Sequence, residues 1–317
     1  MKTSIAIITA LFFNLIAVAK TEEVESFPIV SYWSKGDVFN YTFTQLKTKI
    51  SNGKVELKDS SVYHLRFEIL DESDTSYTIK YTKVPSHIFL FSPSMLKENI
   101  DQLSEEIIYY TDEFGMLQGL KNPKQSINKI NAKMTEFLET ALQNTENGDK
   151  ANLDKAKSSL NTMLNEENVI SLMYKELTYF HFLYGYEFSS VEKISYEDVL
   201  PNPLGGDAIL ADAEISVSSF DLENTSCTLN HLMTIKPEVV NKFIYDVVEK
   251  MNRLNNTEEK TQLKDMDIQI SDDNSFQMDY DYGLPINIHT NRTLNTKVKN
   301  EISVVKEESI IELIDLE

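Results

Sequence analysis

The residues able to do chemistry in this chain are few and scattered. Five histidines, at 64, 87, 181, 231 and 289, are far apart in sequence, and none is paired at a spacing that places two ligands on one metal. The only cysteine, Cys227 in "ENTSCTLNHL", has no partner for a disulfide and no neighbouring base to activate it, so it reads as a small buried strand residue. The run "KDMDIQISDDNSFQMDYDYG" holds six aspartates, yet it lacks the central glycine and closing glutamate of a calcium loop. Asp265 and Asp267 fall on the outward phase of a strand, and Asp272 and Asp273 fit its turn. No G-x-S-x-G, H-E-x-x-H, C-x-x-C or glycine-rich phosphate loop occurs. No catalytic residue, metal ligand or cofactor is therefore assigned.

One stretch stands apart. "YFHFLYGYEF", residues 179–188, concentrates six aromatic rings and a histidine in ten positions. Rings at that density either close a core or line a pocket for an apolar ligand. Tyr179, Phe182, Tyr184 and Tyr186 are the candidate ligand-binding residues on the second reading; His181 reads as a core or rim histidine. The loop "LPNPLGGDA" at 200–208, with two prolines and adjacent glycines, is a shaped turn.

The elements that must position these residues are legible from periodicity. Phe39, Tyr41 and Phe43, then Tyr63, Leu65, Phe67 and Ile69, then Tyr77, Ile79 and Tyr81 alternate with polar residues. Period-2 alternation in three successive runs predicts an antiparallel meander with one buried face. "SNGK" and "DESD" supply the turns, and "EEIIYYTDEFGMLQGL" a fourth strand. From Asn122-Pro123 the period becomes helical, with Ile127, Ile130, Met134, Phe137 and Leu138 on one stripe. A second helix carries Leu153, Ala156, Leu160 and Met163. A third opens near Asn165, with acidic residues in its first turn, and runs to Tyr184, where Gly185 stops it. Strands return after 186 with a hairpin around "DLENT". A helix follows Pro237, and the last strands carry Ile268 and Ile270, Met278 and Tyr280, Ile286 and Ile288, and "SIIELIDL".

The N-terminus "MKTSIAIITALFFNLIAVAK" has a basic start, an apolar run too short to span a membrane and alanines at 17 and 19. It predicts a signal peptide over 1–19 and export to the periplasm or the extracellular space. No other stretch approaches the roughly 18 apolar residues of a transmembrane helix. The remainder, 20–317, reads as one α+β domain, β-rich over 30–120, helical over 123–184, and β-rich with one helix over 186–317. A formal net charge of −20 disfavours nucleic acid and anionic lipid surfaces as partners.

The segments "YWSKGDVFNYTFT", "YFHFLYGYEF" and "PNPLGGDAILADAEISV", with the export signal, resemble uncharacterised exported proteins of Bacteroidota type. That resemblance implies a bacterial envelope or secreted setting and transfers no activity and no site residue. The expected fold class is α+β: an antiparallel, curved, half-barrel-like sheet packed with amphipathic helices. The expected function is non-catalytic binding of a hydrophobic small molecule or lipoprotein tail. A solid-cored surface protein that binds another envelope protein is the alternative, and a hydrolase the third class.

Overall fold

The computed structural model describes residues 26–86, 105–143, 157–158, 165–200, 208–245, 266–299 and 301–316. The expected signal peptide, most of the second helix and the "PNPLGGD" turn lie outside them. In chain order the elements are β1 (Ser26–Ile29), β2 (Val38–Ser51), β3 (Lys54–Ser73), β4 (Ser76–Pro85), β5 (Glu105–Asp112) and β6 (Leu117–Leu120). Among the described residues there follow α1 (Pro123–Gln143), α2 (Glu166–Met173) and α3 (Lys175–Phe180), with helical backbone also at 157–158. Then come β7 (Tyr186–Ser189), β8 (Lys193–Leu200), β9 (Ile209–Asp221) and β10 (Ser226–Ile235). The chain ends in α4 (237–245), β11 (Met266–Asp279), β12 (Leu284–Val298) and β13 (Glu301–Leu316).

Eleven strands form one antiparallel sheet in the order β6-β5-β4-β3-β2-β13-β12-β11-β10-β9-β8, while β1 pairs with β7 apart from it. The described residues are thus sheet-dominated, with few helices. Each half of the sheet is a meander of sequence neighbours, and the halves meet where β13 pairs with β2. The β2–β3 turn is the one the sequence announces: Asn52 and Gly53 both take positive φ, the geometry a two-residue hairpin requires. The expected fourth strand is two strands, because Asp112 accepts from the N–H groups of Phe114 and Met116 and folds the chain back at Gly115.

Alternation puts Tyr41, Phe43, Leu65, Phe67, Ile79, Tyr81, Ile288 and Ile311 on one face, all buried, where Leu177, Phe180 and Leu183 join them in the main core. Fully burying one such side chain contributes about 2 kcal/mol. A smaller cluster of Met233, Ile235 and Ile268 lies under Val240 of α4. Consecutive residues of the aromatic stretch reach widely separated strands. The His181 ring lies 5.3 Å from Tyr109 on β5, and Phe182 lies 4.8 Å from His231 on β10. Those strands stand seven places apart in the order.

Helix α2 begins as expected. Asn165 caps it, its side chain accepting from the Asn168 N–H at 2.8 Å. Asn165→Ala is expected to cost about 1 kcal/mol, with Asn165→Asp neutral, read as midpoints of chemical denaturation. The helical run does not continue to Tyr184: the chain breaks at Tyr174 and again after Phe180. From His181 onward the side chains bond to the sheet, and Gly185, at φ +80°, donates its N–H to the Ile29 carbonyl at 2.8 Å. Those tertiary bonds outweigh another helical turn.

A second departure concerns Asp272 and Asp273. They sit inside β11, not in its turn, and Asp272 points inward to a two-pronged ion pair with Arg292, both contacts 2.7 Å. A bidentate guanidinium directly opposite makes a carboxylate tolerable on that face. No described helix is long and apolar enough to cross a membrane.

Candidate functional site

Most of the aromatic stretch is core. Phe180 stacks on Phe67 at 4.3 Å and meets Tyr41 edge-on at 5.3 Å. The His181 Nδ1–H donates to the Gly115 carbonyl at 2.7 Å, leaving Nε2 to accept from the Tyr109 hydroxyl at 2.8 Å. Both ring nitrogens are thus satisfied in the neutral tautomer, and burial depresses the His181 pKa from 6.5 to about 4. Trp33 packs against His181 and Tyr184, and its indole N–H shares the Gly283 carbonyl with the Tyr184 hydroxyl, at 3.2 and 2.6 Å.

The four candidate binding residues part company here. Tyr184 is wholly buried in that knot. Phe182 turns to the other side, stacking on Phe276 at 5.3 Å beside His231. Tyr179 is half-buried against β12, hydrogen-bonded to Thr290, and burial raises its pKa. Tyr186, at 52% exposure, stands outside on β7. Cys227 is buried in the core as expected, its thiol pushed up to about 12 by burial and by Asp279, which leaves no thiolate for nucleophilic work.

Open space lies instead where α2 and α3 meet the sheet. A cavity of about 250 Å³ is walled by Gln45, Tyr63, Lys83 and Glu105 from β2 to β5 and by Met173, Lys175 and Glu176 from the helices. None of the four candidate residues lines it. Glu176 is its most buried member, at 1% exposure. Its Oε1 accepts from the Tyr81 hydroxyl and, at 3.0 Å, from the Lys83 ammonium. Its Oε2 has no hydrogen-bond partner among the described residues. Burial and the Glu176 carboxylate beside it raise the Tyr81 hydroxyl well above its ordinary pKa, so Tyr81 remains a donor. The Lys83 ammonium also sits over the Tyr63 and Phe43 rings, 4.7 and 5.1 Å from their centroids.

Lys175 completes the wall. Half-buried, it has a pKa lowered by desolvation, opposed by Glu307 and Glu176, and its ammonium makes no hydrogen bond among the described residues. The cavity thus presents the Lys175 ammonium beside Glu105, Gln45 and Lys83, while Glu176 Oε2 is buried behind its wall.

Beyond it a charged row crosses the core face of the sheet. Asp59, Lys47, Glu307, Arg292 and Asp272 occupy successive cross-strand positions on β3, β2, β13, β12 and β11. Lys47 reaches Glu307 at 2.7 Å and holds its carboxyl below the usual range. Asp272 raises the Arg292 guanidinium further above its already high value. Of these only Asp272 figured in the sequence reading, as a turn residue, although all five carry a signal: each is a charge at a position whose strand alternation faces inward. What the arrangement can do is bind and orient a polar group.

No family model and no curated protein matches the chain. Among solved structures ten chains match. One of them, described as showing lipid–protein interactions in lipovitellin, has a TM-score of 0.38 and 10% sequence identity. That match covers 90% of this chain and 26% of the lipovitellin chain.

Proposed function

We propose that this is an exported, non-catalytic binding protein that holds a hydrophobic or amphiphilic small molecule between its helices and the inner face of a curled, half-barrel-like sheet. The observation that carries the reading is the cavity between α2–α3 and β2–β5, with the Tyr63 ring and Met173 beside the Lys83 and Lys175 ammonium groups in its wall. Curling is supported by the reach of two adjacent side chains. Seven strand spacings in a flat sheet amount to about 33 Å, yet His181 touches β5 and Phe182 touches β10.

The test is native mass spectrometry of protein purified from its own host, followed by solvent extraction. A reproducible apolar or amphiphilic adduct is the expected result. A bare mass that stays bare after incubation with lysophospholipid micelles sinks the reading. That outcome turns attention to a protein–protein role, which one observation favours: the aromatic stretch is filled core, while Tyr32, Phe114, Tyr186 and Tyr282 stand exposed.

A further inference from the structure

At the end of the sheet away from Gly283, the β2–β3 and β12–β13 turns lie side by side and grip each other. Asn52 donates its N–H to the Ile302 carbonyl at 2.8 Å, and its side-chain oxygen accepts the Ile302 N–H at 3.0 Å. Every residue from Asn52 to Ser60 is exposed, so the β2–β3 tip has no cover on either face among the described residues. Alternation counted from buried Phe43 and Ile311 puts Ile50, Val304 and Ile302 on the outward face, with Val55 opposite Ile50. Val55 and Ile302 are 63% and 51% exposed, and none of these four aliphatic residues belongs to either core cluster.

Lysines surround them. Lys58 and Lys306 flank Thr48 in the next outward row, Lys297 stands opposite Ile302, and Lys54 and Lys299 sit at the two turns. No carboxylate among the described residues pairs with the ammonium of any of the five. Lys49 is already tied to Glu56 at 2.7 Å, and Asp59 belongs to the inward row with Lys47. The remaining acids here are Asp267, opposite Lys297, and Glu301 at the turn. Glu308 and Asp273 lie one row further along. The tip is therefore locally positive on a chain whose formal net charge is −20.

That net charge is an average, and it set the expectation against anionic lipid. At physiological salt, exposed charges more than about 8 Å apart are largely screened, so the nearest charges decide what a surface attracts. Branched aliphatic ends ringed by lysines suit an anionic lipid surface: the methyls enter the interface while the long stems carry ammonium groups to the phosphates. A protein partner fits less well, because "SNGKVELKDS" and "KVKNEISVVK" hold neither an aromatic residue nor an arginine, the usual anchors of such interfaces.

We propose that the paired β2–β3 and β12–β13 tips are a docking surface for an anionic lipid membrane. The surface faces outward and the cavity inward, so the inference goes beyond the binding-protein reading and does not rest on it.

The experiment is vesicle co-sedimentation of protein purified from its own host. Vesicles of phosphatidylcholine alone are compared with equimolar phosphatidylcholine and phosphatidylglycerol, at low and high salt. The anionic vesicles bind at least about tenfold more tightly, and high salt removes the difference. Lys54→Gln, Lys58→Gln and Lys299→Gln together lose at least about tenfold and flatten the salt dependence. Val55→Ser with Ile302→Ser weakens binding and leaves the salt dependence in place. Lys193→Gln with Lys236→Gln, which removes lysines already paired with carboxylates, changes little. Melting temperatures show that each variant folds, and either tip variant alone decides. Wild type indifferent to phosphatidylglycerol, or tip variants that bind as wild type does, overturns the proposal. Binding of poly-L-glutamate without binding of vesicles overturns it as well and assigns the tip to an acidic polypeptide. Each of these results leaves the cavity reading standing.

Discussion

Gly283→Ala is expected to destabilise the protein by at least about 4 kcal/mol, the range reserved for changes the fold cannot absorb. An alanine Cβ there would lie 1.8 Å from the Val30 carbonyl oxygen, a backbone atom with no rotamer to move away. The residue also sits at φ +62°, which adds a conformational cost to the clash. The damage spreads because the Gly283 carbonyl is the common acceptor for Trp33 and Tyr184. Displacing it frees a carbonyl and two donors from the middle of the core. Thermal and denaturant melts should show the loss, with Gly53→Ala as the control. There the φ is +78° and a Cβ meets nothing within 4 Å, so only a backbone cost of about 1–2 kcal/mol applies. Equal melting of the two variants would count against the tight approach of Val30 to the 280–283 turn.

The second large effect is a pH dependence through His181. In the fold its pKa is about 4, against an ordinary value of 6.5, because the ring is buried and both nitrogens are occupied in the neutral form. Above pH 6.5 the ring is neutral in both states and pH does not touch this contribution. Between 6.5 and 4 the unfolded chain takes up a proton that the native ring refuses, so stability falls as pH falls. Integrated across the window, the loss approaches about 3 kcal/mol. His181→Asn keeps a donor toward Gly115 and removes the titration. Denaturation midpoints at several pH values should give the variant a shallower slope between 6.5 and 4. Identical slopes would contradict the burial described for this ring.

How much of this was readable beforehand depends on which force decided each element. The strands announced themselves because Phe39, Tyr41 and Phe43, or Leu65, Phe67 and Ile69, must share one dry face, and alternation is the local trace of that requirement. The Asn52-Gly53 turn and the Asn165 cap were legible for the same reason, being local chemistry. The end of α3 was not, because His181 and Tyr184 bond to residues 66 and 99 positions away. Nor was Asp272, whose acceptance on the inner face depends on Arg292 across the ladder. The candidate site failed to show in the sequence for a similar reason. Glu176 is one glutamate among many until Tyr81 and Lys83, 95 and 93 positions away, are placed against it.

The pairing of β13 with β2 bears on how the chain reaches this state. Every other pairing in the large sheet joins strands that follow one another along the chain, so each half can zip from its own turns. The seam joins residues as distant as Lys47 and Glu307, 260 positions apart. Closing such a loop costs little more in equilibrium entropy than closing a shorter one, since the cost grows only as a logarithm. Its effect is on rate: contacts of this range slow the search, and the two half-sheets must largely exist before the seam can form. Until then β2 and β13, 14 and 16 residues long, each present an open row of amide and carbonyl groups to whatever strand arrives first. The seam that completes the sheet is therefore also where an incompletely folded chain is most exposed to joining another copy of itself.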